Sequence, residues 1–155
     1  MLQFKPEKDI IPVIPTRRTA VENYLQMNWD VRQVNTLSSL GLAHMGDGVY
    51  ELMCRTYLCE KGDQTVLKLH KDTVQLVKAP TQAAFADKIK PLLTEEEIGF
   101  FRRGKNAHTH AAPKSASRIE YAKATGLEAL FGALYLLGRI ERLNELFAIM
   151  MKEDA

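Results

Sequence analysis

Two carboxylates stand where a chain would not put them without a use. Asp47 lies in LGLAHMGDGVYELM with a glycine on either side, and Glu128 lies in ATGLEALFGALYLL. Both stretches have apolar residues at helical spacing, so each carboxylate falls in the middle of a helix. A glycine in a helix interior costs roughly 1 kcal/mol against alanine, and a carboxylate taken from water adds a desolvation cost unless it is paired. The glycines Gly46 and Gly48 give something back, because another backbone or a ligand can come close to them. Two carboxylates facing each other from packed helices suit a hard divalent cation such as Mg²⁺. Pairing with surface arginines or lysines is the competing reading, and spacing alone does not choose between the two.

Positioning such a pair needs helices with firm ends, and the chain marks several. Asn35 or Thr36 can cap a helix carrying Leu37, Leu40, Leu42, Met45, Val49, Leu52, Met53 and Tyr57, with Gly62 to end it. Asp63 can cap the next, which runs through Val66, Leu69, Val74 and Val77 up to Pro80. A further helix is expected over Thr81–Lys90, stopped by Pro91. Thr94-Glu95-Glu96-Glu97 reads as a capping box, its acids serving a helix start rather than a metal. After a polar loop at 104–117, Ser117-Arg118-Ile119-Glu120 is a second capping box, ahead of the long helix that carries Glu128. Gly138 breaks that helix and Ile140–Met151 forms the last. No segment alternates with period two, so the class is all-α. Pro6, Pro12 and Pro15 mark residues 1–34 as an extended arm with a short helix near Ala20–Met27, set apart from a domain over 35–155.

Charge and composition narrow the function. A chain of 155 residues suffices for one domain whose core needs no disulfide. The formal net charge of +2 does not by itself argue for nucleic acid, but its distribution says more. Arg102, Arg103, Lys105, Lys114 and Arg118 form a run with no acid inside it, either a solvated loop or a strip that follows phosphates. Lys68, Lys71 and Lys78, at near-helical spacing, are weaker members of the same set. His108 and His110 are too few for a zinc site. Cys54 and Cys59 sit about 7.5 Å apart along a helix, too far for an unstrained disulfide, and read as free thiols of a reducing cytoplasm. Charges and prolines interrupt the N-terminus, and no stretch approaches the ~18 apolar residues of a membrane span.

The two helical stretches also resemble a known family. LGLAHMGDGVYELMCRTYL (40–58) is similar to the L-G-D-A helix of the RNase III family, and TGLEALFGALYLLG (125–138) to its F-E-A-L-x-G-A-L-Y-L helix. Over residues 35–150 the resemblance is closest to Mini-III, the branch without a double-stranded-RNA-binding domain. FFRRGKNAHTHAAPKSAS (100–117) matches its R-G-R-N-A stretch and T-P-K loop, and LHKDTVQLVKAPTQAAF (69–85) its H-K…V-x-A-x-x-Q-A segment. The end of the chain at Ala155, soon after these helices, carries the expectation that no binding domain follows. Full-length RNase III enzymes have further carboxylates where Ala43 and Thr125 stand here, and alanine is usual at Gly48. Mini-III shows the same reduced set.

That resemblance implies an RNase III endonuclease-domain-like helical bundle that hydrolyses double-stranded RNA with Mg²⁺, Mn²⁺ being able to substitute. It makes Asp47 and Glu128 the catalytic metal ligands, with Glu51, one turn on, a candidate to hold a water of the metal. Arg102, Arg103, Lys105, Lys114, Arg118 and Lys71 become the RNA-contacting set. His44 is read as a packing or hydrogen-bonding residue. The resemblance also implies a homodimer closed on the first long helix, where Gly41, Ala43, Gly46 and Gly48 permit close packing. It extends to maturation of large-subunit (23S) ribosomal RNA with help from a ribosomal protein. The alternative is a non-catalytic RNA- or ribosome-binding module of the same fold.

Overall fold

The computed structural model describes residues 22–107 and 116–154. Its helices are α1 (Val31–Val34), α2 (Ser39–Glu60), α3 (Val66–Val77), α4 (Ala79–Ile89), α5 (Glu95–Lys105), α6 (Arg118–Leu136) and α7 (Ile140–Met151), with a 3₁₀ turn at Lys90–Leu92. No strand occurs among the described residues, so the all-α expectation holds. No helix among them is long and apolar enough to cross a membrane.

Helix α6 is the axis. Its residues from Ala124 to Leu134 are buried almost without interruption, Glu128 alone being partly exposed. A helix apolar on all sides must be covered on all sides. Helices α2, α4, α5 and α7 do this, and α3 packs outside α2 and α4. Tyr50 anchors the centre, edge-on to Phe131 and Phe147 with ring centroids 5.9 and 6.4 Å apart. Its hydroxyl donates to the carbonyl of Leu76, which satisfies the one polar atom of a fully buried ring.

The helix ends show which local signals were sufficient. Ser117 and Glu120 make the reciprocal box expected of them. Gly62 and Gly138 take positive φ (109° and 73°) just past the ends of α2 and α6. Thr94 caps α5 by accepting from the Glu97 amide, but Glu97 does not return the bond. Its carboxylate is 3% exposed and is gripped by Arg142 of α7 at 2.9 and 3.0 Å. Ser38, not Asn35 or Thr36, caps α2, and Thr65, not Asp63, caps α3. Helix α4 ends at Ile89, as expected ahead of Pro91, which lies in the 3₁₀ turn that follows.

The helix expected near Ala20–Met27 is not found over its described part, 22–27. The short helix comes later, at α1, where Asp30 and Gln33 form a capping box. Ahead of it the chain is strapped to the end of α6 by Trp29 N–H donating to Leu136 at 2.7 Å. Gly138 lets that strap through, since a Cβ there would lie 2.3 Å from the Met27 carbonyl oxygen. Cys54 is buried and Cys59 exposed, both free.

Candidate active site

Asp47 and Glu128 are neighbours because two helices touch backbone to backbone. A Cβ on Gly46 would lie 1.6 Å from the Glu128 carbonyl oxygen, and one on Gly132 would lie 2.1 Å from that of Leu42. Only paired glycines allow α2 and α6 to come so close. The residue after Gly46 is therefore carried to the flank of the crossing beside Glu128. Gly48, the other neighbour of Asp47, takes no part: among the described residues nothing lies within 4 Å of its Cβ position.

Electrostatics reports the same proximity. Burial, and then the negative charge of Asp47, push the Glu128 carboxyl up to about 7, against a smaller opposing effect of the Gln82 amide. Asp47 itself is exposed to water. Burial raises the Cys54 thiol to about 11, which makes it an unreactive core group. Asp47 and Glu128 thus form a crowded, partly buried pair of hard oxygen donors, a set that fits a divalent cation.

Other expected site residues are placed differently from one another. Glu51 turns to Arg55, 3.6 Å away, and no third His, Cys, Asp or Glu groups with the pair among the described residues. Arg102 is exposed at the end of α5, Lys105 is half-buried beside it, and Arg118 is exposed at the start of α6. Arg103 is occupied within the chain. Its guanidinium donates to the Leu37 carbonyl at 2.7 Å, to Asn35 Oδ1 at 3.2 Å and to Ser39 Oγ at 3.4 Å, bracing the turn into α2. Lys71 is exposed on α3, whereas Lys68 pairs with Asp72 and Lys78 donates to Gln75. Lys114, His108 and His110 lie outside the described residues. His44 is exposed on α2.

One residue beside the pair carried no individual reading in the sequence. Gln82 of α4 is buried and donates to Glu128 Oε1 at 3.3 Å and to the Val77 carbonyl at 2.8 Å. The signal was its place in an otherwise apolar stretch of helix, among Ala79, Ala83 and Ala86.

Known proteins resemble this chain over most of its length. The family model described as the Ribonuclease III domain matches residues 40–139, a span that holds both carboxylates and both glycines of the crossing. A Mini-ribonuclease 3 of Symbiobacterium thermophilum is 49% identical over 110 residues, covering 71% of this chain and 85% of that one. A Mini-ribonuclease 3 of Clostridium tetani is 45% identical over 123 residues, covering 79% and 80%. The crystal structure of a Fusobacterium nucleatum protein superposes with a TM-score of 0.70 at 35% identity, covering 75% of this chain and 94% of that one.

Proposed function

The chain belongs to the ribonuclease III family, and from that premise we propose that it cuts double-stranded RNA with Mg²⁺ held by Asp47 and Glu128. That it is a ribonuclease, a hydrolase acting on RNA, follows from the family itself. The observation that carries the finer reading is the glycine crossing, which holds Asp47 beside a carboxylate already burdened by burial.

Asp47 and Glu128 would hold the cation, which when bound supplies a more acidic water and neutralises charge growing on the phosphate. Water attacks phosphorus in line, the bond from phosphorus to the 3′ oxygen breaks, and the cut ends carry 5′-phosphate and 3′-hydroxyl. The burial of Glu128 fixes where its charge sits, and the rigidity of the crossing keeps both oxygens in place before RNA arrives. Arg102, Lys105, Arg118 and Lys71 supply positive charge that can follow the phosphates of an A-form duplex. Arg103 supports that surface from beneath by ordering the start of α2.

A homodimer closed on α2 belongs to the same proposal. Leu40 (45% exposed), His44, Gly48 and Leu52 (56% exposed) recur at four-residue spacing on one outward line of that helix. Of the four small residues expected there, Gly46 and Ala43 are buried within the chain, and Gly48 faces open space. Two such sites would cut opposite strands. Maturation of large-subunit ribosomal RNA, aided by a ribosomal protein, is the substrate setting we take from the family resemblance.

The test is cleavage of a long duplex RNA in Mg²⁺ by wild type and by Asp47→Asn. Asp47 is exposed, so the variant is expected to fold and bind duplex while losing at least about two orders of magnitude in cleavage, as expected for a group acting in the transition state. A wild type that binds duplex but leaves it whole in both Mg²⁺ and Mn²⁺ would instead support the non-catalytic RNA-binding reading.

A further inference from the structure

Helix α4 brings against the carboxylate pair a polar group that the mechanism above leaves unused. Gln82 is 2% exposed, and its Nε2 is shared between the Val77 carbonyl and Glu128 Oε1. Both partners are acceptors, which fixes how the amide faces: turned over, its oxygen would meet two oxygens. Oε1 is left buried with no donor among the described residues. Closing the end of α3 needs only the bond to Val77, so that role alone gives Oε1 no purpose.

Resting on the proposed cation site, we infer that Gln82 is its third oxygen: Oε1 faces the cation or a water of its hydration, while Nε2 holds Glu128 in position. Hard cations accept neutral amide oxygens alongside carboxylates. A buried amide adds a donor without adding a third negative charge to a crowded pair. A glutamate at residue 82 would lose the donations to Val77 and Glu128 but offer the cation an anionic oxygen in place of a neutral one, which binds a hard cation more strongly.

The experiment measures Mn²⁺ binding to the full chain, without RNA, by electron paramagnetic resonance, with circular dichroism to establish the fold. Asp47→Asn and Glu128→Gln are run beside Gln82→Met, which keeps length and loses the amide, and Gln82→Glu, which keeps the oxygens. The expected result is a folded Gln82→Met that binds Mn²⁺ about tenfold or more weakly, and a Gln82→Glu that binds at least as tightly as wild type. If Gln82→Met binds like wild type while Asp47→Asn and Glu128→Gln do not, the inference falls and the cation site stands. If the two carboxylate variants also bind like wild type, the cation site falls and takes the inference with it. Should Gln82→Met fail to fold, Gln82→Glu decides: weakened Mn²⁺ binding there overturns the role of the oxygen.

Discussion

Helix α6 is crossed twice at glycines, and the two crossings serve different ends. Where α5 passes, a Cβ on Gly104 would lie 2.5 Å from the Thr125 carbonyl oxygen, and one on Gly126 would lie 2.8 Å from that of Phe101. Where α2 passes, Gly46 and Gly132 play the same parts against Glu128 and Leu42. The first crossing is flanked by Thr125, whose hydroxyl donates back to its own helix at Tyr121, and by the Phe101 ring. The second is flanked by Asp47 and Glu128. Close backbone contact is thus a general means of packing here, and it becomes a site only where carboxylates border it. The comparison also accounts for the short carboxylate set. Ala43 and Thr125, where fuller family members carry acids, are each 5% exposed in this chain. An acid at either place would be buried, at the desolvation cost of an unpaired charge.

Breaking one crossing and then the other separates packing from chemistry. In Gly46→Ala the new Cβ would overlap a backbone oxygen, so the helices must part. Overpacking costs about 1–3 kcal/mol where neighbours can adjust, and a backbone atom adjusts poorly. We expect a loss of at least about 3 kcal/mol in urea denaturation, with cleavage lost even per folded molecule. Gly104→Ala should lose about 1–3 kcal/mol as well but keep its cleavage per folded molecule, because no carboxylate borders that crossing. Wild-type cleavage by folded Gly46→Ala would sink the claim that this contact sets the pair.

The charge stored at the α2 crossing should be visible without RNA or metal. Glu128 has its pKa raised from 4.5 to about 7, so the native state holds this proton more tightly than the unfolded chain does. The stabilising contribution is complete below about pH 4.5 and is lost as pH rises through 7. Glu128→Gln removes the titration. Metal-free Glu128→Gln should therefore be more stable than wild type at pH 8, by about 3 kcal/mol, and the advantage should shrink toward pH 5. Equal pH profiles from paired urea melts would mean that Asp47 and burial do not burden Glu128 as described.

Much of this was legible in the sequence wherever the signal was local. The Ser117 box and the glycines ending α2 and α6 are set by residues three or four apart, and they stand as read. Asp47 and Glu128 were visible because each interrupts an apolar helix. Choices among adjacent candidates were not legible. Asn35, Thr36 and Ser38 can all cap a helix, and Ser38 does so where Arg103, from more than 60 residues away, ties down Asn35, Leu37 and Ser39. Glu97 looked like helix-start chemistry because its partner, Arg142, is 45 residues off. Arg102 and Arg103 are alike in a basic run, and only the phase of α5 sends one to water and the other inward. That difference gives a smaller prediction. Arg103→Ala should lower stability by about 1–3 kcal/mol through the acceptors it strands. Arg102→Ala should leave the melting curve unchanged and weaken duplex binding, reducing its salt slope by about 1. The reverse pattern would exchange their roles.

The smallest effect comes from the other glycine beside Asp47, and it sharpens the contrast most cleanly. Gly46 and Gly48 look equivalent in sequence, yet one is pressed against Glu128 and a Cβ on the other would meet no atom of the described residues within 4 Å. With no neighbour to offend, Gly48→Ala should recover helix propensity and gain about 0.5–1 kcal/mol in urea denaturation. Cleavage should be unchanged, since the family's usual residue here is alanine. The same variant probes the outward face of α2. If a second copy packs there as loosely as alanine requires, the gain persists when protein concentration is raised. A loss of stability that grows with concentration would place a partner backbone against Gly48, as close as that of Glu128 is to Gly46.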